Sequence, residues 1–174
     1  MLSKPGRVFA VVACWLLAAC ATPPPKISQE KPVDEIDNQQ GLALAGYDPV
    51  AYFTDKKPTP GSSAIDYRWK GATFRFATTE HRDLFAANPE HYAPQFGGYC
   101  AFAVSLGTTA DGDPTQWAID GDRLFVNNNA TAAKLWNQSR SRNIGLGITN
   151  WPLIPKQSVT SNSTAEGNTA QSPR

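Results

Sequence analysis

Two hairpin signatures set the architecture. In IDYRWKGATFRFA, residues 65–77, Tyr67 and Trp69 alternate with polar residues, Lys70-Gly71 makes the turn, and Phe74 and Phe76 alternate on the return. A period of two broken by a glycine-bearing dipeptide is the pattern of two antiparallel strands with one buried face. WAIDGDRLFV, residues 117–126, repeats the signal with a turn at Asp120-Gly121. The segments around these hairpins read as short helices. Thr79 caps one, Glu80 sits in its first turn and Asn88-Pro89 stops it. His81, Leu84 and Phe85 fall at i, i+3 and i+4, so the histidine shares the apolar face. Asn88 to Tyr92 reads as a further helical turn with proline in first position. YCAFAVSL, residues 99–106, follows the permissive pair Gly97-Gly98 and reads as a buried helix closed by Gly107. Ala130 to about Arg140 is amphipathic. Short hairpins alternating with short helices, without long crossover units, predict an α+β domain rather than a parallel sheet.

The ends of the chain are of another kind. MLSKPGRVFAVVACWLLAAC opens with Lys4 and Arg7 and continues with an apolar run, Val8 to Leu17. That run is too short for an ordinary membrane span and has the length of a secretory signal. Its close, Leu17-Ala18-Ala19-Cys20, resembles the lipobox of bacterial lipoproteins. The resemblance implies that Cys20 carries the lipid, palmitate-like chains included, and becomes the first mature residue. Ala21 resembles the pattern of lipoproteins sorted to the outer membrane, so the expected location is the cell envelope, facing the periplasm. A signal peptide cleaved nearby without lipidation is the alternative. The expected organisation is a signal at 1–19, a lipidated cysteine and proline-rich tether at 20–41, a domain at 42–155 and a disordered polar tail at 156–174.

The formal charge is +1, and no basic block is present. A nucleic-acid partner is therefore not expected, because backbone binding needs a concentrated positive patch. The sequence holds no G-x-S-x-G elbow, no phosphate-cradling glycine loop and no H-E-x-x-H, so enzyme chemistry is not expected either. The cysteines say more. Cys14 leaves with the signal and Cys20 is used by the lipid, which leaves Cys100 without a disulfide partner. Such a thiol is buried and inert, reactive, or a metal ligand. Placed in the first turn of a helix, Cys100 would meet free amides and the positive dipole end, which favour a thiolate. A thiolate suits soft copper(I), which accepts few ligands. His81 and His91 are the candidate co-ligands, with Asp83 as a further donor. Against this stands simple packing of Cys100 beside Ala101 and Val104. For His81 the competing reading is a hydrogen-bonded boundary residue, and for His91 plain exposure. DGDP, residues 111–114, lacks the later ligands of a calcium loop and reads as a tight turn. Tyr47, Tyr92, Tyr99, Trp69 and Trp117 either line a pocket or belong to the core.

GYDPVAYF (46–53), WKGATFRFAT (69–78), LFAANPEHYAPQFGGYCAFAV (84–104), GDPTQWAIDGDRLFVN (112–127), Trp136 and NWPLI (150–154) together resemble the YHS domain family, in particular its small exported members. The similarity runs in order over 46–154, and YAPQFGGYCA is its specific part. The resemblance implies a module of a kind proposed to bind heavy metals. Related modules offer several cysteines, and only Cys100 carries over here. The leading expectation is thus a lipid-anchored envelope protein that handles a copper-like metal without catalysis, through Cys100 with His81 and His91. The alternative is an envelope protein–protein interaction module in which Cys100 is core packing and the partner is unknown.

Overall fold

The computed structural model describes residues 33–156. The expected signal segment, Cys20, most of the expected tether and residues 157–174 lie outside the described residues. The first hairpin forms as its alternation predicts. Strands β3 (Ser62–Trp69) and β4 (Ala72–Phe76) run antiparallel, with Tyr67 opposite Phe74 and Trp69 opposite Ala72. Lys70 and Gly71 both take positive φ, 47° and 82°, which a two-residue turn needs to match the strand twist. Ala72, Phe74 and Phe76 all point into the core.

Two further strands, β1 (Asn38–Gln39) and β2 (Leu42–Ala43), extend this sheet in the order β1-β2-β4-β3. β2 meets β4 in parallel at Leu42 and Thr73. The folded body therefore begins by Val33 and not at residue 42. Val33 donates its N–H to Pro155 O at 3.0 Å, Ile36 is buried, and Asp37 is buried beside it. This stretch reads as tether because Ile36 is almost its whole apolar content; hydrogen bonds from Asp37 and Gln39 supply the remaining attachment.

The second hairpin, β5 (Asp113–Asp120) with β6 (Arg123–Asn127), turns at Gly121-Asp122, one residue later than expected, with φ of 55° and 62°. Asp113 starts β5 with a local motif in which its Oδ1 accepts from Thr115 N and Thr115 Oγ1 at 2.8 and 2.7 Å. DGDP is thus turn chemistry leading into a strand.

Among the described residues, six short helices pack on these two small sheets, an α+β domain as the hairpin spacing predicts. They are α1 (Ala51–Thr54), α2 (Thr79–Ala87), α3 (Pro89–Tyr92), α4 (Ala101–Ser105), α5 (Ala130–Gln138) and α6 (Arg140–Asn150). α2 is capped by Thr78, whose Oγ1 accepts from His81 N, and α5 by Asn129, whose Oδ1 accepts from Ala132 N. α6 is not foreshadowed by its sequence, which carries Gly145 and Gly147 in a helix interior. Gly147 has a packing reason: a Cβ there would lie 2.6 Å from Phe96 Cζ. One core cluster sits under the first sheet around Phe74, Phe76 and Phe85. A second joins α4, α5 and α6 to β6 through Val104, Trp136, Ile144 and Phe125. A third lies under α1 around Tyr52, Leu124 and Val126. Among the described residues, no helix is long and apolar enough to cross a membrane.

Candidate functional site

Cys100 precedes α4 as its N-cap rather than sitting in its first turn. Its N–H donates to Ala110 O at 2.8 Å and its carbonyl accepts from Val104 N at 3.0 Å. The side chain is 2% exposed. Its sulfur lies 3.8 Å from Asn127 Oδ1, and the same oxygen accepts from Phe102 N at 3.1 Å. Asn127 ends β6 and is itself buried. The helix-end amide expected to hold a thiolate is therefore satisfied by a neutral carboxamide reaching over from the second hairpin. The sulfur is left in the place of a weak S–H donor, packed in the core.

The expected co-ligands are elsewhere. His81 donates or accepts at both ring nitrogens: Nδ1 is 2.7 Å from Asp48 Oδ2, and Nε2 is 3.3 Å from Thr54 Oγ1. Asp48 is fully buried and serves as a node between three elements. Its Oδ1 accepts from Val50 N and Ala51 N at the start of α1, while its Oδ2 accepts from Ala77 N just after β4 and meets His81 on α2. A carboxylate with that many N–H partners is a structural tie. His81 is the boundary residue of the competing reading. His91 stacks near Phe53 and Tyr92, at 5.1 and 4.5 Å between ring centres, and its Nδ1 lies 3.6 Å from Asp122 Oδ2. Asp83 is exposed and paired with Arg82. Among the described residues, no three His, Cys, Asp or Glu side chains gather in a metal-ligand cluster. The set Cys100, His81 and His91 is thus not assembled. The Cys100 sulfur meets Asn127 Oδ1, His81 Nε2 meets Thr54 Oγ1 and His91 Nδ1 meets Asp122 Oδ2, so each donor atom faces a different partner.

The five singled-out aromatics divide among three cores. Trp69 and Tyr92 pack on the first cluster, Tyr99 belongs to the second, and Tyr47 and Trp117 pack on the third. A cleft of about 290 Å³ does open between Trp69 and Trp151, over Phe96 and Gly97. Its charged groups satisfy one another. Lys70 Nζ lies 2.8 Å from Glu35 and 3.1 Å from Glu90, and 4.5 Å from the centre of the Trp69 ring. Burial pulls the Lys70 ammonium toward a lower pKa, but the two carboxylates outweigh it and raise the pKa above its ordinary value. With two carboxylates to one ammonium, these three groups leave the cleft one negative charge in excess.

Asp37, like Asp48, is a buried carboxyl that sequence reasoning missed. Its Oδ2 accepts from Gly112 N at 2.8 Å and from Gln39 Nε2 at 3.0 Å. Burial pushes its pKa up, against the lowering effect of those two bonds, and nearby Asp111 adds to the rise. Burial likewise pushes the neighbouring Tyr99 phenol up to about 12, with Asp37, Asp34 and Asp111 reinforcing it. The alternation of apolar and polar residues carries no signal for this node; a lone apolar Ile36 followed by Asp37 is all that marks it.

Comparison of the chain with protein-family models, with curated proteins and with solved structures returns no match.

Proposed function

We propose that this chain is a lipid-anchored envelope protein whose single YHS-type domain is a non-catalytic binding module, with Cys100 as a core residue and not a metal ligand. The observation that carries this reading is the burial of Cys100, a residue 2% exposed whose sulfur is placed against Asn127 Oδ1. A copper site would need a sulfur reachable by the ion and at least one further donor turned toward it. His81 keeps its Nδ1 on the buried Asp48 carboxylate at 2.7 Å, and its Nε2 meets Thr54 Oγ1 at 3.3 Å rather than the Cys100 sulfur. The residue pattern GGYCAFAV then has a packing explanation: two glycines for the approach to α4, and small residues where α4 meets α6 and β6.

The test uses protein extracted from its membrane in detergent, where Cys100 is the free thiol under the lipoprotein reading. A water-soluble thiol reagent should react only as the domain unfolds in urea. Copper(I) titrated against a competing chelator should show the same weak binding for the parent and for Cys100→Ala. Stoichiometric copper binding that disappears with Cys100→Ala would overturn the proposal.

A further inference from the structure

We infer that the end of the domain built from α4, α5, α6 and the closing turn Trp151–Leu153 is a membrane-contact face, which lays the domain on an anionic phospholipid surface. The inference rests on the lipid-anchor reading for the choice of partner, and the experiment below separates the two.

Apolar exposure is concentrated there. Of the six large hydrophobic side chains exposed among the described residues, Leu106, Leu135 and Leu146 share one side of this end, Leu153 lies in the closing turn, Ile148 opens into the cleft between Trp69 and Trp151, and Leu84 lies on α2. Leu106, Leu135 and Leu146 line one groove of about 280 Å³, with Arg142 in its wall. Charge follows the same division. Residues 99–110 and 129–156 contain Lys134, Arg140, Arg142 and Lys156 and no carboxylate. Arg140 is matched to Asp120 at 3.6 Å. Lys134 and Arg142 have no ion-pair partner among the described residues. Around the groove of Leu106, Leu135 and Leu146 the exposed leucines are thus flanked by cations, as an interfacial lipid contact requires, whereas Glu35 and Glu90 stand on the side of Ile148 and Trp151.

The position of the chain's entry point selects the bilayer over a protein partner. Val33 N donates to Pro155 O, and Val33 bridges Lys156, so the segment from the anchor enters beside the closing turn. Asn150 Nδ2 donates to Val104 O and Ser105 O at 3.1 and 3.0 Å, which holds the last turn of α4, and with it Leu106, against the same end of α6. Lys156 Nζ stands 3.7 Å from the centre of the Trp151 ring, a tryptophan–lysine pair of the kind found at headgroup level. Twelve residues lie between Cys20 and Val33, so even fully extended this segment keeps this end within about 45 Å of the lipid attachment. Held that close, a patch with weak intrinsic affinity is enough to dock the domain.

The experiment uses the mature chain from residue 20 with Cys20→Ser, so that no acyl chain contributes. It should cosediment with phosphatidylethanolamine–phosphatidylglycerol vesicles, release in high salt, and bind pure phosphatidylcholine vesicles far less. Leu106→Glu with Leu146→Glu should lower the partition coefficient by roughly tenfold or more. Lys134→Glu with Arg142→Glu should remove the salt-sensitive part, which covers the case in which the leucine pair is lost to misfolding. Leu84→Glu, on the other side of the domain, should change nothing. Equal binding by all variants overturns the inference. So does a fall from dimer to monomer, seen by sedimentation without vesicles in the leucine pair, which would make the face a contact between copies of this chain. Palmitate labelling of the wild-type chain in cells tests the anchor separately: labelling that is absent, with vesicle binding intact, refutes the anchor and leaves the face standing.

Discussion

Asn127→Ala is the substitution that most directly tests how Cys100 is held. Asn127 Oδ1 accepts from Phe102 N at 3.1 Å and lies 3.8 Å from the Cys100 sulfur. Alanine removes the acceptor and leaves a part-buried N–H without a partner, together with a small void in the core. A lost cap contributes ~1 kcal/mol and an orphaned buried donor ~1–3 kcal/mol, so the expected loss is about 2 kcal/mol. For a domain of this size the urea slope is about 1.5 kcal/mol per M, which moves the midpoint down by roughly 1.3 M with the slope unchanged. The same 2 kcal/mol raises the open population ~30-fold, so native-state reaction of Cys100 with a thiol reagent should accelerate by a similar factor. A double-mutant cycle with Cys100→Ala apportions the effect. At 3.8 Å the sulfur contact is weak, and coupling should stay below ~0.5 kcal/mol, because the N–H of Phe102 is the group that suffers. A midpoint shift under about 0.3 M, or a coupling that accounts for most of the loss, would refute this account of the site.

Two further substitutions probe nodes outside Cys100. Asp37→Asn should stabilise the protein at neutral pH, because burial raises the carboxyl pKa in the folded state above the value of 3.8 it has when unfolded. A raised carboxyl costs stability while ionised and regains it as pH falls through the folded pKa, so the variant's advantage should vanish below the unfolded value. Thermal melts across that range measure it, and a variant less stable than the parent at pH 7 would contradict the sign. Gly147→Ala and Gly145→Ala should diverge within one helix. At 147 the new methyl meets the Phe96 ring at 2.6 Å, and ~2 kcal/mol of overpacking outweighs ~1 kcal/mol of helix propensity. At 145 nothing lies within 4 Å, so the propensity gain alone should raise stability by up to ~1 kcal/mol in urea unfolding. Equal effects at the two positions would show that the close approach of Phe96 is not what selects Gly147.

The features readable in advance are those whose cause is local. Tyr67, Trp69, Phe74 and Phe76 alternate because one face of a hairpin is wet and the other dry, and Lys70-Gly71 makes the turn because few dipeptides accept two positive φ values. What could not be read depends on partners distant in sequence. Gly147 looks like a helix breaker until Phe96 is brought against it, and Ile36-Asp37 looks like tether until Gly112 and Gly97 present an N–H and a carbonyl to Asp37. The candidate site fails for the same reason. Cys100, His81 and His91 have suitable donor atoms, but ligation depends on which group reaches each atom first, and spacing does not encode that competition. Asp48, placed by its proline turn at the head of α1, reaches His81; Asn127, carried by the second hairpin, reaches the end of α4. Both are short polar side chains at the ends of regular elements, where unpaired amides are most costly to leave unmet. In a domain with helices this short a large share of residues lies at such ends, so polar side chains nearby are drawn into satisfying them. The leucines of the proposed membrane-contact face need no such atoms and stay exposed beside Lys134 and Arg142.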